Sequence, residues 1–148
     1  MIELEIPFLF PTLNKIERMD RGSKIPFRKI KLIKDWQRRI NQAFLVKGYN
    51  KDELPYKKAL VEIERHTPQQ PDYDNMAGGA KRLIDCLTTP VLQAKGHIKN
   101  KYGLGFIIDD SPKYIESKYT WKKAPSKKIK TVIRITPIES LTDSAIIT

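Results

Sequence analysis

Apolar and charged residues alternate at the start of the chain, with Ile2, Leu4 and Ile6 on one parity and Glu3 and Glu5 on the other. Alternation with a period of two predicts a half-buried β-strand within residues 1–10, and Pro7 indicates an edge position or a strand end. Comparable alternation or short apolar runs predict four further strands, over residues 59–65, 105–108, 114–122 and 129–138. The last two are joined by the turn Ala124-Pro125-Ser126.

Two other segments have a helical period. Apolar residues recur at Ile30, Ile33, Trp36, Ile40 and Phe44, which predicts a helix that ends at Lys47 with Gly48 after its last turn. A second helix is predicted over residues 75–87, beginning at or after Asp74 and ending before Pro90. Residues 11–29 are expected to form a long basic loop, residues 49–58 a polar connector and residues 139–148 a loosely held tail.

The order of elements is therefore strand, helix, strand, helix and three strands. This order predicts a single small α+β domain, over residues 1–137, in which a mixed β-sheet carries two main helices on one face. Residues 138–148 would follow it as a C-terminal tail.

Composition narrows the class of protein. With 148 residues, 40% of them hydrophobic, the chain can build one core but leaves little room for a second domain. No apolar run approaches a membrane span, and the acidic, alternating N-terminus does not resemble a signal peptide. A lone cysteine, Cys86, excludes an internal disulfide and a thiolate zinc site. A soluble cytoplasmic protein with no membrane partner is expected.

The net charge of +11 is unevenly distributed. Residues 12–39 have ten basic and three acidic side chains, and residues 111–137 have eight basic side chains against one acid, whereas residues 40–110 are nearly neutral. Two basic segments of this kind are typical of a protein that binds a polyanion such as nucleic acid. A solvated, solubilising surface is the alternative interpretation.

Four acids stand out within the neutral middle, in Asp72-Tyr73-Asp74-Asn75 and in Asp109-Asp110. In extended backbone Asp72 and Asp74 would project to the same side, and one acid of the second pair could join them. Three carboxylates with water form a site suited to Mg²⁺ or Mn²⁺. Alternatively, Asp74 is a helix N-cap, Asp72 belongs to a turn after Pro71, and Asp109-Asp110 is an exposed turn.

The combined pattern resembles the RusA family of Holliday-junction resolvases. The shared motifs are Asp72-x-Asp74-Asn75, Lys81-x-x-x-Asp85-x-Leu87 and a strand that ends in Asp109-Asp110-Ser111. The motifs lie within residues 71–111, although the layout of elements is similar over about residues 1–137.

The resemblance implies a small homodimeric endonuclease, bacterial or phage-encoded, that nicks four-way DNA junctions with Mg²⁺ in recombination and repair. Asp72, Asp74 and Asp110 would hold the metal, with Asp110 preferred over Asp109 because the family's acid is the second of the pair. Lys81 would be the catalytic lysine, and Asp85 would have a supporting role.

The spacing departs from the family at the lysine. Lys81 lies seven residues after Asp74, whereas the family's common form places it four residues after. Gly78-Gly79 would allow a looser first helical turn from which Lys81 could still reach the acids. The alternatives are that Lys81 forms a surface ion pair with Asp85 or extends along the helix surface.

Two other functions remain open at this point. One is a nuclease of other branched DNA, such as flaps and forks. The other is a non-catalytic basic DNA-binding protein whose acids only cap helices and end strands.

Overall fold

A computed structural model describes residues 1–138, so the tail predicted beyond Ile138 lies outside the described residues. The strands and helices, in chain order, are β1 (Ile2–Ile6), α1 (Leu13–Arg18), α2 (Phe27–Lys47), β2 (Ala59–Thr67), α3 (Tyr73–Ile84), β3 (Val91–Leu92), β4 (Ile98–Lys99), β5 (Ile115–Lys123) and β6 (Lys130–Pro137). Short 3₁₀ turns lie at Asp85–Leu87, Ala94–Gly96 and Ser126–Lys128.

The main sheet has four strands in the order β1-β6-β2-β5. β6 is antiparallel to both of its neighbours. Ile133 of β6 lies opposite Leu4 of β1 on one side and opposite Ile63 of β2 on the other. β2 and β5 are parallel, with Ala59 opposite Ile115. The strands β5 and β6, which follow each other in the sequence, are therefore separated by β2. β3 and β4 form a separate two-stranded sheet.

One face of the main sheet carries the core. Leu4, Val61 and Ile133 are fully buried there, and they belong to the same apolar cluster as Ile40 of α2 and Leu83 of α3. The opposite face carries charged and polar side chains, including Glu3, Glu5, Glu62, Glu64, His66, Lys130 and Arg134. The predicted α+β domain, with a mixed sheet and two main helices on one face, is confirmed.

The ends of α2 follow from local chemistry. Gly48 adopts φ 70°, a left-handed conformation that glycine accepts at little cost, and this ends the helix where the sequence predicts. At the other end the Asp20 carboxylate accepts hydrogen bonds from the backbone N–H groups of Arg28 (2.8 Å) and Lys29 (3.0 Å). Partial burial would raise the pKa of Asp20, but these two N–H donors outweigh it and lower the pKa. Because Asp20 binds these N–H groups of the first turn, α2 begins at Phe27, three residues before the predicted start.

Two local predictions are wrong. Residues 11–29 contain the six-residue helix α1, so they are not entirely a loop. Phe106 and Ile107 are buried as predicted, but they form no strand of the main sheet. Their N–H groups donate instead to the carbonyl of Leu87 at 3.0 Å, and Ile107 forms an isolated bridge with Tyr56. Within residues 1–138, no helix is both long and apolar enough to cross a bilayer.

Candidate metal and nucleic-acid site

Asp72 and Asp74 lie at the start of α3, and both are exposed. Asp72 occupies the N-cap position, where its carbonyl accepts the N–H of Met76 (3.0 Å), whereas Asp74 is already in the first helical turn. The expectation that both project to one side of an extended segment is therefore wrong, because a helix rotates successive residues by about 100°. The N-cap role expected for Asp74 is also wrong, and the side chain of Asp72 forms no capping hydrogen bond.

Asn75 and the two glycines of α3 hold α1 in place. The Asn75 side-chain oxygen accepts the N–H of Asn14 at 2.8 Å, in the first turn of α1. A Cβ atom at Gly78 would lie 2.7 Å from Leu13 Cδ2, and one at Gly79 would overlap the carbonyl oxygen of Pro11. Residues 73–84 form one continuous helix, so these glycines permit close packing and do not loosen the first turn.

Asp109 and Asp110 have different surroundings. Asp109 is bound by Lys99 Nζ at 2.9 Å and by Asn100 Nδ2 at 3.2 Å. The hydrogen bond from Lys99 is the main cause that lowers the pKa of Asp109. Asp110 is exposed and has no ion pair or side-chain hydrogen bond within residues 1–138. Of the two acids, Asp110 is therefore the one whose carboxylate is free to bind a cation.

Asp85, for which the resemblance implies a supporting role, has distinctive surroundings in the fold. It follows the last residue of α3, and its pKa is raised to about 6, first by burial and then by the nearby charges of Asp110 and Asp109, while Arg82 acts in the opposite direction. Three carboxylates thus lie within electrostatic reach of one another at this end of α3. Asp109 and Asp110 lie 24 and 25 positions after Asp85, so no local pattern in the sequence could reveal the proximity.

Tyr119 of β5 connects this cluster with the start of α3. The residue is partly buried against the core. Burial is the main cause that raises its pKa, and smaller contributions come from Tyr73 and Asp110. Asp110 and the first residue of α3 therefore both lie near the same phenol. We call the five acids around β5 and α3 the acidic edge: Asp72, Asp74, Asp85, Asp109 and Asp110.

Lys81 lies on the same side of α3 as Asp74 and Asp85, because positions seven and eleven residues apart return to nearly the same helical face. Its side chain is exposed, and it has no ion pair within residues 1–138. The surface ion pair with Asp85 is therefore not formed. Along the helix axis Asp74 and Asp85 are roughly 16 Å apart, so they cannot bind the same ion.

The chemistry of the acidic edge suits a hard divalent cation. Asp72, Asp74 and Asp110 offer exposed carboxylate oxygens, and Asp85 is repelled by its neighbours. Among residues 1–138, no three or more His, Cys, Asp or Glu side chains converge closely enough to enclose a metal ion. Mg²⁺ does not need such a cage, since it commonly keeps several waters and binds through one or two carboxylates. Exposed carboxylates of this kind therefore fit Mg²⁺ that is held by one or two of them and keeps most of its waters.

Comparison of the chain with protein-family models matches none of them, and comparison with curated proteins likewise finds no significant relative.

Proposed function

We propose that this protein is a Mg²⁺-dependent, structure-selective DNA endonuclease that resolves four-way junctions by paired nicks, with Mn²⁺ as a substitute metal. The observation that carries the proposal is the proximity of Asp85, Asp109 and Asp110 at the end of α3, in a chain whose net charge is +11. There Asp110 and Asp109 repel Asp85, Arg82 opposes that repulsion, and Lys99 binds Asp109. A divalent ion would relieve that repulsion, and the surrounding lysines and arginines would hold the phosphodiester.

The proposed roles are those that the resemblance of the motifs implies, and the exposure and pairing of the side chains support them. Asp72, Asp74 and Asp110 would be the metal-binding acids, and their carboxylates are exposed and not ion-paired within residues 1–138. The bound metal would polarise the phosphate and lower the pKa of an attacking water. Lys81, also exposed and unpaired in the same range, would approach the negative charge that develops on the phosphate. Asp85 would keep the local field negative and so favour cation binding.

Cleavage of a labelled synthetic four-way junction tests the proposal. Wild type, Asp74→Asn and Asp110→Asn are compared in Mg²⁺ and in EDTA, with duplex and forked DNA as substrate controls and a gel shift for each protein. We expect symmetric nicking in Mg²⁺ only, lost in both variants while binding persists. Lys81→Ala should slow cleavage without weakening the complex. A wild-type cleavage rate in Asp74→Asn and Asp110→Asn would reject the site.

A non-catalytic DNA-binding function is the second candidate. It is favoured by the position of Asp72 at the N-cap and Asp74 in the first turn of α3, where negative charge stabilises a helix without any metal. It predicts binding that weakens steeply with salt and no product in any metal. A nuclease of other branched DNA would instead cut the forked control as fast as the junction.

The proposal includes a homodimer, because paired nicks in opposing strands require two active sites related by a two-fold axis. Apolar side chains beside the free edge of β1 are candidates for the contact. Phe8 is 47% exposed and Val46 is 82% exposed, and both line an open groove of about 470 Å³ between β1 and α2. A cytoplasmic location would follow from action on chromosomal or phage DNA.

A further inference from the structure

The connection between β5 and β6 passes over the end of β2. It must do so because β2 lies between these two strands in the sheet. The Ala124 N–H donates to the Thr67 carbonyl at 3.0 Å, which fixes the connection against the last residue of β2. Ser126 and Pro71 line the same open pocket, and Pro71 directly precedes Asp72 in the chain. The connection and the segment that leads to Asp72 therefore border one pocket.

Three lysines of this connection lack an acidic partner. Lys123, Lys127 and Lys128 are exposed and have no ion pair within residues 1–138, and we call them the lysine turn. The neighbouring cations differ, since Lys122 is 3.6 Å from Glu64 and Lys130 is 3.1 Å from Glu5. The unpaired positive charge of this surface is therefore concentrated in the turn.

The lysine turn borders an open pocket of about 540 Å³. Besides the three lysines, the charged or titratable groups that line it are His66, Lys130 and Glu5. Glu5 is bound by Lys130, and His66 is bound by the buried Glu64. The one acid facing the pocket is thus already neutralised, and the pocket remains suited to an anion.

Arg65 lies on the other side of the same connection. It lines a second open pocket of about 400 Å³ together with Thr67, Gln69, Pro71 and Ser126. One guanidinium nitrogen donates to the Phe10 carbonyl at 2.6 Å, and no carboxylate pairs with it within residues 1–138. A partly buried guanidinium without a counter-ion favours an anionic partner, and its planar donors match the oxygens of a phosphate.

We propose that the lysine turn and Arg65 bind successive phosphates of one nucleic-acid strand as that strand reaches Asp72. This inference rests on the proposed function, and it identifies which of the basic segments contacts the strand nearest to the acids. The two pockets flank a single connection, so a strand crossing it would pass from the lysines to Arg65 and then to the start of α3. A bilayer is a poor fit, because the pocket rim offers no row of aromatic or aliphatic side chains.

Equilibrium binding in EDTA tests the inference apart from cleavage. Fluorescence anisotropy of a labelled four-way junction is measured over a range of salt concentrations for wild type and for the triple variant Lys123→Gln, Lys127→Gln and Lys128→Gln. The matched control replaces three exposed lysines outside the two basic segments, namely Lys51, Lys57 and Lys95, by glutamine. Both variants lose the same charge, so a difference between them reports position.

We expect the turn variant to bind at least tenfold more weakly at low salt, with the slope of log K against log salt reduced by about two to three. The control should change the slope by less than one. Arg65→Lys keeps the charge but loses the planar donors, and it should weaken binding about threefold to tenfold. Unfolding midpoints, followed by circular dichroism, verify that each variant is folded.

The outcomes separate this inference from the proposed function. Equal losses in the turn and control variants overturn the inference but leave the nuclease intact. A wild type that binds through the turn but never cuts in Mg²⁺ overturns the nuclease and supports the inference. A wild type that binds no DNA overturns both.

Discussion

Asp85 is the acid whose protonation differs most from that of a free side chain. Its folded pKa of about 6 exceeds the ordinary value of 3.8, so the folded protein binds more protons than the unfolded chain between these values. The free energy of unfolding therefore falls as the pH rises from about 4 to 6. Above that range Asp85 is ionised in both states, and the full destabilisation by its charge is present. Asp85→Asn removes the penalty, and we expect the free energy of unfolding in EDTA at pH 7.5 to rise by about 2 kcal/mol.

Urea unfolding at pH 7.5 and at pH 3.5 measures this change. The gain should disappear at pH 3.5, where Asp85 is protonated in both states. Asp52→Asn, at an exposed acid in a loop, is the control and should leave stability unchanged. Added Mg²⁺ should stabilise the wild type more than Asp85→Asn. Equal stability of Asp85→Asn and wild type at pH 7.5 would mean that the acidic edge is not under repulsion.

Glu64 presents the opposite case, since its charge is favoured by the fold. It is 5% exposed and lies on the face of the sheet opposite the helices, where it accepts hydrogen bonds from Arg134 (3.0 Å) and from His66. Burial alone would raise its pKa, but Arg134 and His66 outweigh burial and lower the pKa below 4.5. The carboxylate therefore stabilises the protein above pH 4.5, and this contribution is lost as the pH falls through the lowered pKa.

Glu64→Gln should lower the free energy of unfolding at pH 7 by about 2 kcal/mol, because Arg134 loses a buried charged partner. The difference from wild type should shrink below about pH 4. Glu62→Gln is the matched control, since Glu62 lies on the same face of β2 and has no ion pair within residues 1–138. Thermal or urea unfolding of wild type and the two variants measures the difference. Equal losses of stability in Glu64→Gln and Glu62→Gln would contradict the stabilising role of the Glu64 charge.

At the level of elements, the packing of α1 on α3 depends on Gly79. In a free helix Gly→Ala is stabilising by about 1 kcal/mol, because alanine has the higher helix propensity. At Gly79 the new Cβ would overlap the Pro11 carbonyl, which belongs to backbone and cannot simply rotate away. We therefore expect Gly79→Ala to lower the free energy of unfolding by about 1–3 kcal/mol. The sign of the change in the free energy of unfolding, measured by urea unfolding, is the test. A variant more stable than wild type would show that the segment before α1 does not pack closely on Gly79.

The strongly periodic elements were predictable from sequence. The helix that ends at Gly48 and the strands β1, β2, β5 and β6 follow local patterns of apolar residues, and local patterns are visible in a single sequence. Pairing partners are not local. Phe106 and Ile107 are buried as their composition predicts, yet their backbone pairs with the turn after α3 and not with the sheet. α1 was not predicted, because this short helix is held by contacts with Asn75 and the two glycines of α3, which are distant in the sequence.

The site was predictable to the extent that residue types alone define it. The acids were found from their motifs, but the choice between Asp109 and Asp110 has a physical reason only in the fold, where Lys99 and Asn100 bind Asp109. The raised pKa of Asp85 also depends on the fold, because burial and the charges of Asp110 and Asp109, distant in the sequence, cause it. The position of the lysine turn follows from topology, since β2 separates β5 from β6 and their connection must pass the end of β2 at Thr67.

At the level of the whole molecule, the proposed dimer requires an exposed apolar surface whose burial is favourable. Val46 and Phe8 lie beside β1, whose outer edge joins no further strand in the described sheet and is bound at Glu3 by the Tyr49 hydroxyl. Val46→Glu adds a charge to this groove at a position that is 82% exposed, so it should leave the fold of the monomer intact. If the groove forms the dimer contact, the variant must pay the desolvation of a glutamate on association. We expect a monomer, or a dimer weakened at least tenfold.

Light scattering after size-exclusion chromatography, over a range of protein concentrations, measures this effect. Leu92→Glu is the control, because Leu92 is also an exposed apolar residue (73%) but lies in the separate β3–β4 sheet. It should dimerise like wild type. The Val46→Glu monomer should still bind a junction but lose the paired, symmetric nicks, because each nick would then need a separate encounter. A wild type that stays monomeric at every concentration, or a Val46→Glu variant that dimerises normally, would remove this groove from the proposed assembly.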